Sequence, residues 1–457
     1  NTLLSDMRLE SVDTIEIEPA MIEGARYFEK VNFRAFSDPR SHIRIEDAKT
    51  FFAAHQSRYD VIVSEPSNPW VSGVATLFSD EFYGRIRGHL REGGLLVQWL
   101  HVYEIDFDLL SSILKALGRN FSDYVIYTSQ PGDIVVVATR DGKVPPLTNG
   151  AFESPGMRAL LARVGYLSLP ELRLDHIASR RVIEPLVERS RYPVNSDYFP
   201  VVDQNAARTR FLKLSARDIA AIPKAFVPFG MLVDGDSRIR IDELDRAKEI
   251  GSTRVTEALV AAATLEFLDS GGGDHAHLLD SARRLQISFV RQGVDRCGVD
   301  TGLWLDAVED ILRVVTPILH GPEVDRMFAR FERSACYAKL GDLERERFAL
   351  YRSFHERNVS AMLSSSDRLL ASSRKWSPTD KATFVLAALS ARIAGGDVEG
   401  ARGVWEAHRA SLPEPFRLGF NFRVILAHLG LDTKTTPAKA EAKPESVREG
   451  APDAPVK

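Results

Sequence analysis

Three carboxylates in the first 70 residues stand where chemistry would need them. Glu16 closes the run 12–17, Asp47 follows the run 42–45 with the small Ala48 beside it, and Glu65 follows the apolar run 59–64. A side chain at the carboxyl end of a parallel strand faces the crevice in which α/β sheets hold ligands. At Glu16 a carboxylate can accept both hydroxyls of a ribose, and hydrogen bonds to a charged group are worth roughly 1.5–3 kcal/mol each. At Asp47 it can reach the exocyclic amine of an adenine. Glu65 opens Glu65-Pro66-Ser67-Asn68-Pro69-Trp70, where two prolines stiffen the loop and hold the carboxylate and the Asn68 amide over the cleft.

The elements that must position these groups follow from the hydrophobic pattern. Residues 1–139 alternate short β-rich runs with amphipathic stretches, as a parallel sheet with crossover helices requires. Strands are predicted at 12–17, 42–45, 59–64, 95–99, 124–128 and 133–138. The run 59–64 reads as a central strand because it is nearly all apolar. A helix over 80–90 stops at Gly93-Gly94, and the turn Gln130-Pro131-Gly132 makes the last two strands a hairpin at the edge of the sheet. Residues 140–210 are a mixed continuation of this domain. From 211 to 431 the pattern is helical, with Gly273-Asp274, Gly341-Asp342 and Gly396-Asp397 read as turns of helical hairpins: Gly as the C-cap, Asp as the N-cap of the partner. That region is expected to be an all-α, tetratricopeptide-like array. Residues 432–457, rich in Lys, Ala, Pro and Glu, read as a disordered tail.

The ordered set Glu16-Ile17-Glu18-Pro19, Glu46-Asp47-Ala48, Tyr59 to Val63, Leu77-Phe78 with Glu81-Phe82-Tyr83, and Gly93-Gly94 to Gln98 resembles the spermidine synthase (polyamine aminopropyltransferase) family. The branch it looks most like is the bacterial one fused to a membrane-embedded amino-terminal part. The resemblance covers roughly residues 1–210, including Asn195-Ser196-Asp197. It implies a Rossmann-like, class I methyltransferase-type α/β fold with a mostly parallel sheet. It also implies aminopropyl transfer from decarboxylated S-adenosylmethionine, a co-substrate rather than a permanently bound cofactor, to a small-molecule amine. A free alkylamine, with a pKa of about 10.4, is less than ~0.1% neutral near pH 7. A positioned carboxylate base therefore contributes around 10²–10⁴-fold. On this resemblance Glu65 is the base, Glu16 binds ribose, Asp47 and Ala48 border the adenine, and Asn68, Tyr83 and Gln98 border the amine.

Two departures from the family pattern bear on the substrate. Glu65 and Asn68 replace two Asp of the family's loop, and the extra methylene moves the carboxylate by about 1.5 Å, a shift of the size that can cost about 10²-fold. The family's first strand and its Gly-rich loop have no counterpart ahead of Asn1, which together with the missing initiator Met reads as a fragment. The alternatives are an S-adenosylmethionine-dependent methyltransferase on the same fold, or a decayed domain serving as a platform whose helical repeats bind a protein partner. A homodimer, and a place on the cytosolic face of the inner membrane for the parent protein, are further expectations of the resemblance.

Composition narrows the field. With 59 basic and 63 acidic side chains the formal net charge is -4, which offers no footprint for nucleic acid. No stretch approaches the 18 apolar residues of a membrane span. Two cysteines, Cys297 and Cys336, cannot build a disulfide framework or zinc ribbon, which points to a reducing compartment, and His275-x-His277 lacks a third metal ligand. Each candidate also has a plainer reading. Glu16 could be an exposed acid and Asp47 a helix N-cap; Tyr83, Gln98 and Trp99 could be packing residues, His101 a satisfied structural histidine, and Asp197 a turn former.

Overall fold

The computed structural model describes residues 1–71, 73–244 and 252–431. Seven strands carry the α/β part: β1 (Val12–Glu16), β2 (Ser41–Ile45), β3 (Tyr59–Ser64), β4 (Leu90–His101), β5 (Asp123–Gln130), β6 (Asp133–Thr139) and β7 (His176–Ser179). β1 pairs with β2, and the other five run in the order β3-β4-β6-β5-β7. The β1–β2 and β3–β4 ladders are parallel, while β4–β6, β5–β6 and β5–β7 are antiparallel. The fold is thus α/β and Rossmann-like in its amino-terminal crossovers, with the parallel character confined to the first four strands. The expected β5–β6 hairpin forms, but β6 lies inward beside β4 and the four-residue β7, too short to show a period in sequence, takes the outer edge.

The reading of residues 59–64 as a central strand is corrected. β3 ends the five-stranded sheet, and Val61 and Val63 are 47% and 51% exposed. Among the described residues no strand pairs with the far side of β1 or of β3, so each presents an open parallel edge. The helix expected over 80–90 ends at His89, because Leu90 already pairs with Tyr59. Gly93, with φ 70°, lets the chain loop out before Leu95 resumes the ladder opposite Val61.

One face of the larger sheet is well covered. Ser79 caps the helix Asp80–His89, and Asp106 caps Phe107–Asn120 by accepting from Leu109 N–H at 2.8 Å. Their apolar stripes, with Phe82, Tyr83, Ile86, Leu110, Ile113 and Leu117, close over Ile62, Leu96, Leu100 and Val136. Burial of such side chains is worth roughly 1.5–3 kcal/mol each. The opposite face, with Val63, Val97, Trp99 and Val135, stays half-open.

The helical part is continuous from Thr253 to His428 apart from short turns. Gly396-Asp397 behaves as expected: Gly396 has φ 82° and Asp397 caps the helix Val398–His408. At the other two sites the caps are placed differently. Gly341 is itself the N-cap of Asp342–Glu356, whereas Gly271 ends Thr253–Ser270 and Asp280, not Asp274, caps Ser281–Asp295. The cysteines form a disulfide, Cys297–Cys336, contrary to the expectation of a reducing compartment. The helix turns bring this pair together, which a count of cysteines does not reveal. The last helix, Phe420–His428, returns to the α/β part: Arg189 Nε donates to the Ala427 carbonyl at 3.3 Å, and His428 Nε2 donates to the Val182 carbonyl at 3.0 Å. Its Val424, Ile425 and Leu426 join the same core as Val182 and Leu186. Among the described residues no helix is long and apolar enough to cross a membrane. The expected tail 432–457 lies outside them.

Candidate functional site

The predicted acidic residues stand on two separate sheets. Glu16 ends β1 and is half-buried, with Oε1 accepting from Glu18 N–H at 2.9 Å. Its backbone carbonyl accepts from Glu46 N–H at 3.0 Å, which brings Asp47 alongside at the tip of β2. Asp47 is the N-cap of Ala48–Ala54: Oδ1 accepts from Thr50 N–H at 2.8 Å and from Thr50 Oγ1 at 3.0 Å. That occupies one carboxylate oxygen, and no described residue bonds the other. Ala48 is the first residue of that helix. Lys49 pairs with Asp197 at 2.8 Å, so this corner is fastened to the later Asn195-Ser196-Asp197 element.

That element is held firmly. Asn195 is 1% exposed and donates to the carbonyls of Ala75 and Phe78 at 3.2 and 3.0 Å, while its Oδ1 accepts from Val202 N–H at 3.1 Å. It staples the 195–202 segment to the turn Val74–Phe78 that follows the proline-flanked loop.

Glu65 lies one residue beyond the Ser64–Gln98 ladder pair, exposed, with no hydrogen bond or ion pair to any described residue. Tyr83 and Gln98, by contrast, are fully buried. Tyr83 Oη donates to Gln98 Oε1 at 3.3 Å, and Gln98 Nε2 donates to the carbonyls of Ser64 at 3.1 Å and Trp99 at 2.9 Å. Burial without a charged partner pushes the Tyr83 phenol well above its ordinary range. The pair fixes the backbone from which Glu65 projects, and neither side chain reaches solvent. Asn68 is half-buried; its carbonyl accepts from Val71 N–H at 2.9 Å, while its Oδ1 is buried without a hydrogen-bond partner among the described residues.

Sequence reasoning passed over the aromatic cluster beside this loop. The His101 ring packs edge-on to Trp70 at 4.8 Å between centroids and lies 4.9 Å from Tyr103 and 6.0 Å from Trp99. His101 is 3% exposed and its Nε2 has no partner among the described residues, unlike the satisfied histidine that its position suggested. Burial lowers its pKa to about 4, which leaves it neutral at physiological pH. The signal available in sequence was the spacing Trp99-x-His101-x-Tyr103, which puts three rings on one face of an extended chain.

Comparison with known proteins finds similarity in the amino-terminal part of the chain. Residues 4–131 match the spermine/spermidine synthase domain. Over 90 residues the chain is 36% identical to polyamine aminopropyltransferase 1 of Pseudomonas aeruginosa, covering 20% of this chain and 31% of that protein. Over 120 residues it is 30% identical to the polyamine aminopropyltransferase of Sodalis glossinidius, covering 26% and 42%. These two matches thus span 31% and 42% of the relatives' own length. Among solved structures, spermidine synthase from Thermotoga maritima aligns over 30% of this chain and 48% of its own, with 23% identity and a TM-score of 0.27. Human methyltransferase-like protein 13 aligns over 34% and 72%, with 20% identity and a TM-score of 0.27. Over residues 4–131, this chain is similar to the spermine/spermidine synthase domain.

Proposed function

We propose that the α/β part transfers an aminopropyl group from decarboxylated S-adenosylmethionine to a small amine, with Glu65 as the base. The observation that carries this reading is the bare Glu65 carboxylate on a backbone anchored from below by Gln98, inside a domain similar to this family's. The donor's sulfonium already activates the adjacent methylene. The protein has then to orient the amine and remove one proton; the amine nitrogen bonds to that carbon and methylthioadenosine leaves. Glu16 and the free oxygen of Asp47 would grip ribose and adenine. Gln98 and Tyr83 act as positioning residues behind the loop, and Asn68 lies on the amine side.

In this reading the nucleoside pocket also needs one more parallel strand. The open edges of β1 and β3 flank a gap that no described strand fills, and the half-exposed Val61 and Val63 are dressed for burial. A strand ending in a Gly-rich turn, inserted there, would join the two sheets and bring Glu16 and Glu65 to one cleft. Methylthioadenosine release from the donor with a diamine present tests the reaction, first on this chain and then on one extended by such a strand. Glu65→Gln should lower the extended chain's rate by about 10²–10⁴-fold. Release no faster than in buffer, or methyl transfer from S-adenosylmethionine instead, would overturn the reading.

A further inference from the structure

Where the segment 222–230 meets the helices Thr301–Val315, Pro378–Ala394 and Phe420–His428, the packing leaves a cavity of about 110 Å³. Folded interiors hold few voids larger than a water molecule. An apolar cavity of roughly 150 Å³ is enough to take up benzene. Ile222, Phe229, Leu386, Val424 and Ile425 give this cavity an apolar wall, and Arg313, Thr383 and Asn421 add a polar side. A few polar groups on a mainly apolar wall is the usual make-up of a small-molecule site.

The polar side has hydrogen-bond donors left over. Arg313 donates from Nε and Nη2 to Glu309, with Nε at 2.9 Å, and from Nη2 to Thr383 Oγ1 at 3.2 Å. Its Nη1 meets no acceptor among the described residues. Glu309 is its one carboxylate partner there and is shared with Arg347 and Tyr351, whereas Arg347 also has Asp306 at 2.8 Å and Asp380 at 3.1 Å. The Arg313 guanidinium lies 4.4 Å from the centre of the Phe226 ring, which steadies it at the wall. The Asn421 amide bonds no described residue. Phe226 and Val227, which also line the cavity, are 7% and 6% exposed, and their backbone N–H groups find no acceptor among the described residues. Buried N–H groups in that condition are rare.

A guanidinium edge, an amide and two backbone N–H groups are matched by a group that only accepts and carries negative charge, which is a carboxylate. We propose that this cavity binds a small aliphatic carboxylate of about four or five carbons, the size set by the void. The carboxylate meets Arg313 Nη1 and the Asn421 amide, and the hydrocarbon lies against Ile222, Leu386 and Ile425. Every lining residue lies beyond position 131, so the site is independent of the reading of Glu65. The ligand would touch the segment 222–230, the array and the returning helix together, so binding stabilises their junction.

Calorimetry and thermal unfolding of the whole chain at pH 7.5 with 3-methylbutanoate, 3-methylbutan-1-ol and acetate test the site. The branched carboxylate should bind saturably, once per chain, and raise the unfolding midpoint. The alcohol lacks the charge and acetate lacks the hydrocarbon, so each should bind at least tenfold more weakly. Ala225→Leu fills the void, and Asn421→Leu removes an amide that bonds nothing else. Each should weaken binding of the branched carboxylate tenfold or more with an unchanged circular dichroism spectrum. If one variant fails to fold the other decides, and if both fail the three ligands on the unaltered chain decide. No saturable binding, equal binding of either analogue, or undiminished binding in the folded variants overturns the proposal.

Discussion

The phenol of Tyr59 donates a 2.8 Å hydrogen bond to Asp13 Oδ2, and this contact reaches from β3 to β1 across two strand edges that are not paired with each other. The bond joins the sheet that carries Glu65 to the sheet that carries Glu16. Burial and the Asp13 carboxylate both raise the Tyr59 pKa, so the phenol stays a donor throughout the physiological range. Tyr59→Phe should therefore destabilise the chain by about 1.5–3 kcal/mol, the range for a hydrogen bond to a charged group. Urea unfolding of Tyr59→Phe, Asp13→Asn and the double variant measures the coupling. Additive effects would mean that the bond does not join the sheets.

Asp47 has two possible employments, and they separate by substitution. As an N-cap, its replacement by Ala should cost about 0.5–2 kcal/mol, while Ser should restore most of that stability. As an adenine ligand it would also matter to binding, and Ser is too short to replace it. Asp47→Ser should then leave the thermal midpoint near that of the parent chain while weakening methylthioadenosine binding to the strand-extended chain. Thermal shift and calorimetry on one preparation read both quantities.

Gln98→Leu removes an acceptor from the buried Tyr83 and a donor from the carbonyl of the half-buried Ser64. Unsatisfied buried groups cost roughly 1–3 kcal/mol each, so the unfolding midpoint should fall clearly. Amide exchange should rise first at Ser64 and Glu65 if the role of Gln98 is to hold that backbone. A fall in midpoint with no local change there would make it a general core residue.

His101 gives stability a pH dependence with a definite sign. Its folded pKa, lowered to about 4, lies below the ordinary value near 6.5, so between those limits the unfolded chain binds the extra proton. Stability from this group is full above about pH 6.5 and declines as pH falls toward 4, by up to about 1.4 kcal/mol per unit. Asp175 works in the opposite direction: burial raises its pKa to about 6, and its protonation favours the folded state below that value. Comparing His101→Phe with the parent isolates the first effect. The variant's stability should change less between pH 6.5 and 4.5, and parallel curves for the two chains would contradict the neutral, buried state of His101.

Much of this arrangement was legible in the residues. Asp47 announced a cap, the run 59–64 announced a strand, and Asn195-Ser196-Asp197, singled out by resemblance alone, contains a buried staple. Position within the sheet was not legible. The apolar pattern of residues 59–64 encodes burial on both sides, yet the pairing partner that would supply it is not among the described strands. The burial of Tyr83 and Gln98 escaped for a related reason: a polar group at a strand end looks like a ligand site until its own partners are known. The Cys297–Cys336 bond and the orphaned atoms of Asn68 and His101 depend on contacts across turns and ladders that no local period reports.

The return of Phe420–His428 gives the chain an unusual closure. Its hydrogen bonds to Arg189 and Val182 span 238 and 246 residues. The last helix is thus a clasp: the helical array begins and ends on the α/β half. A cut before residue 420 would leave Leu186 and Val182 bare, so the two halves should melt in a single step and not shed the array as an independent appendage.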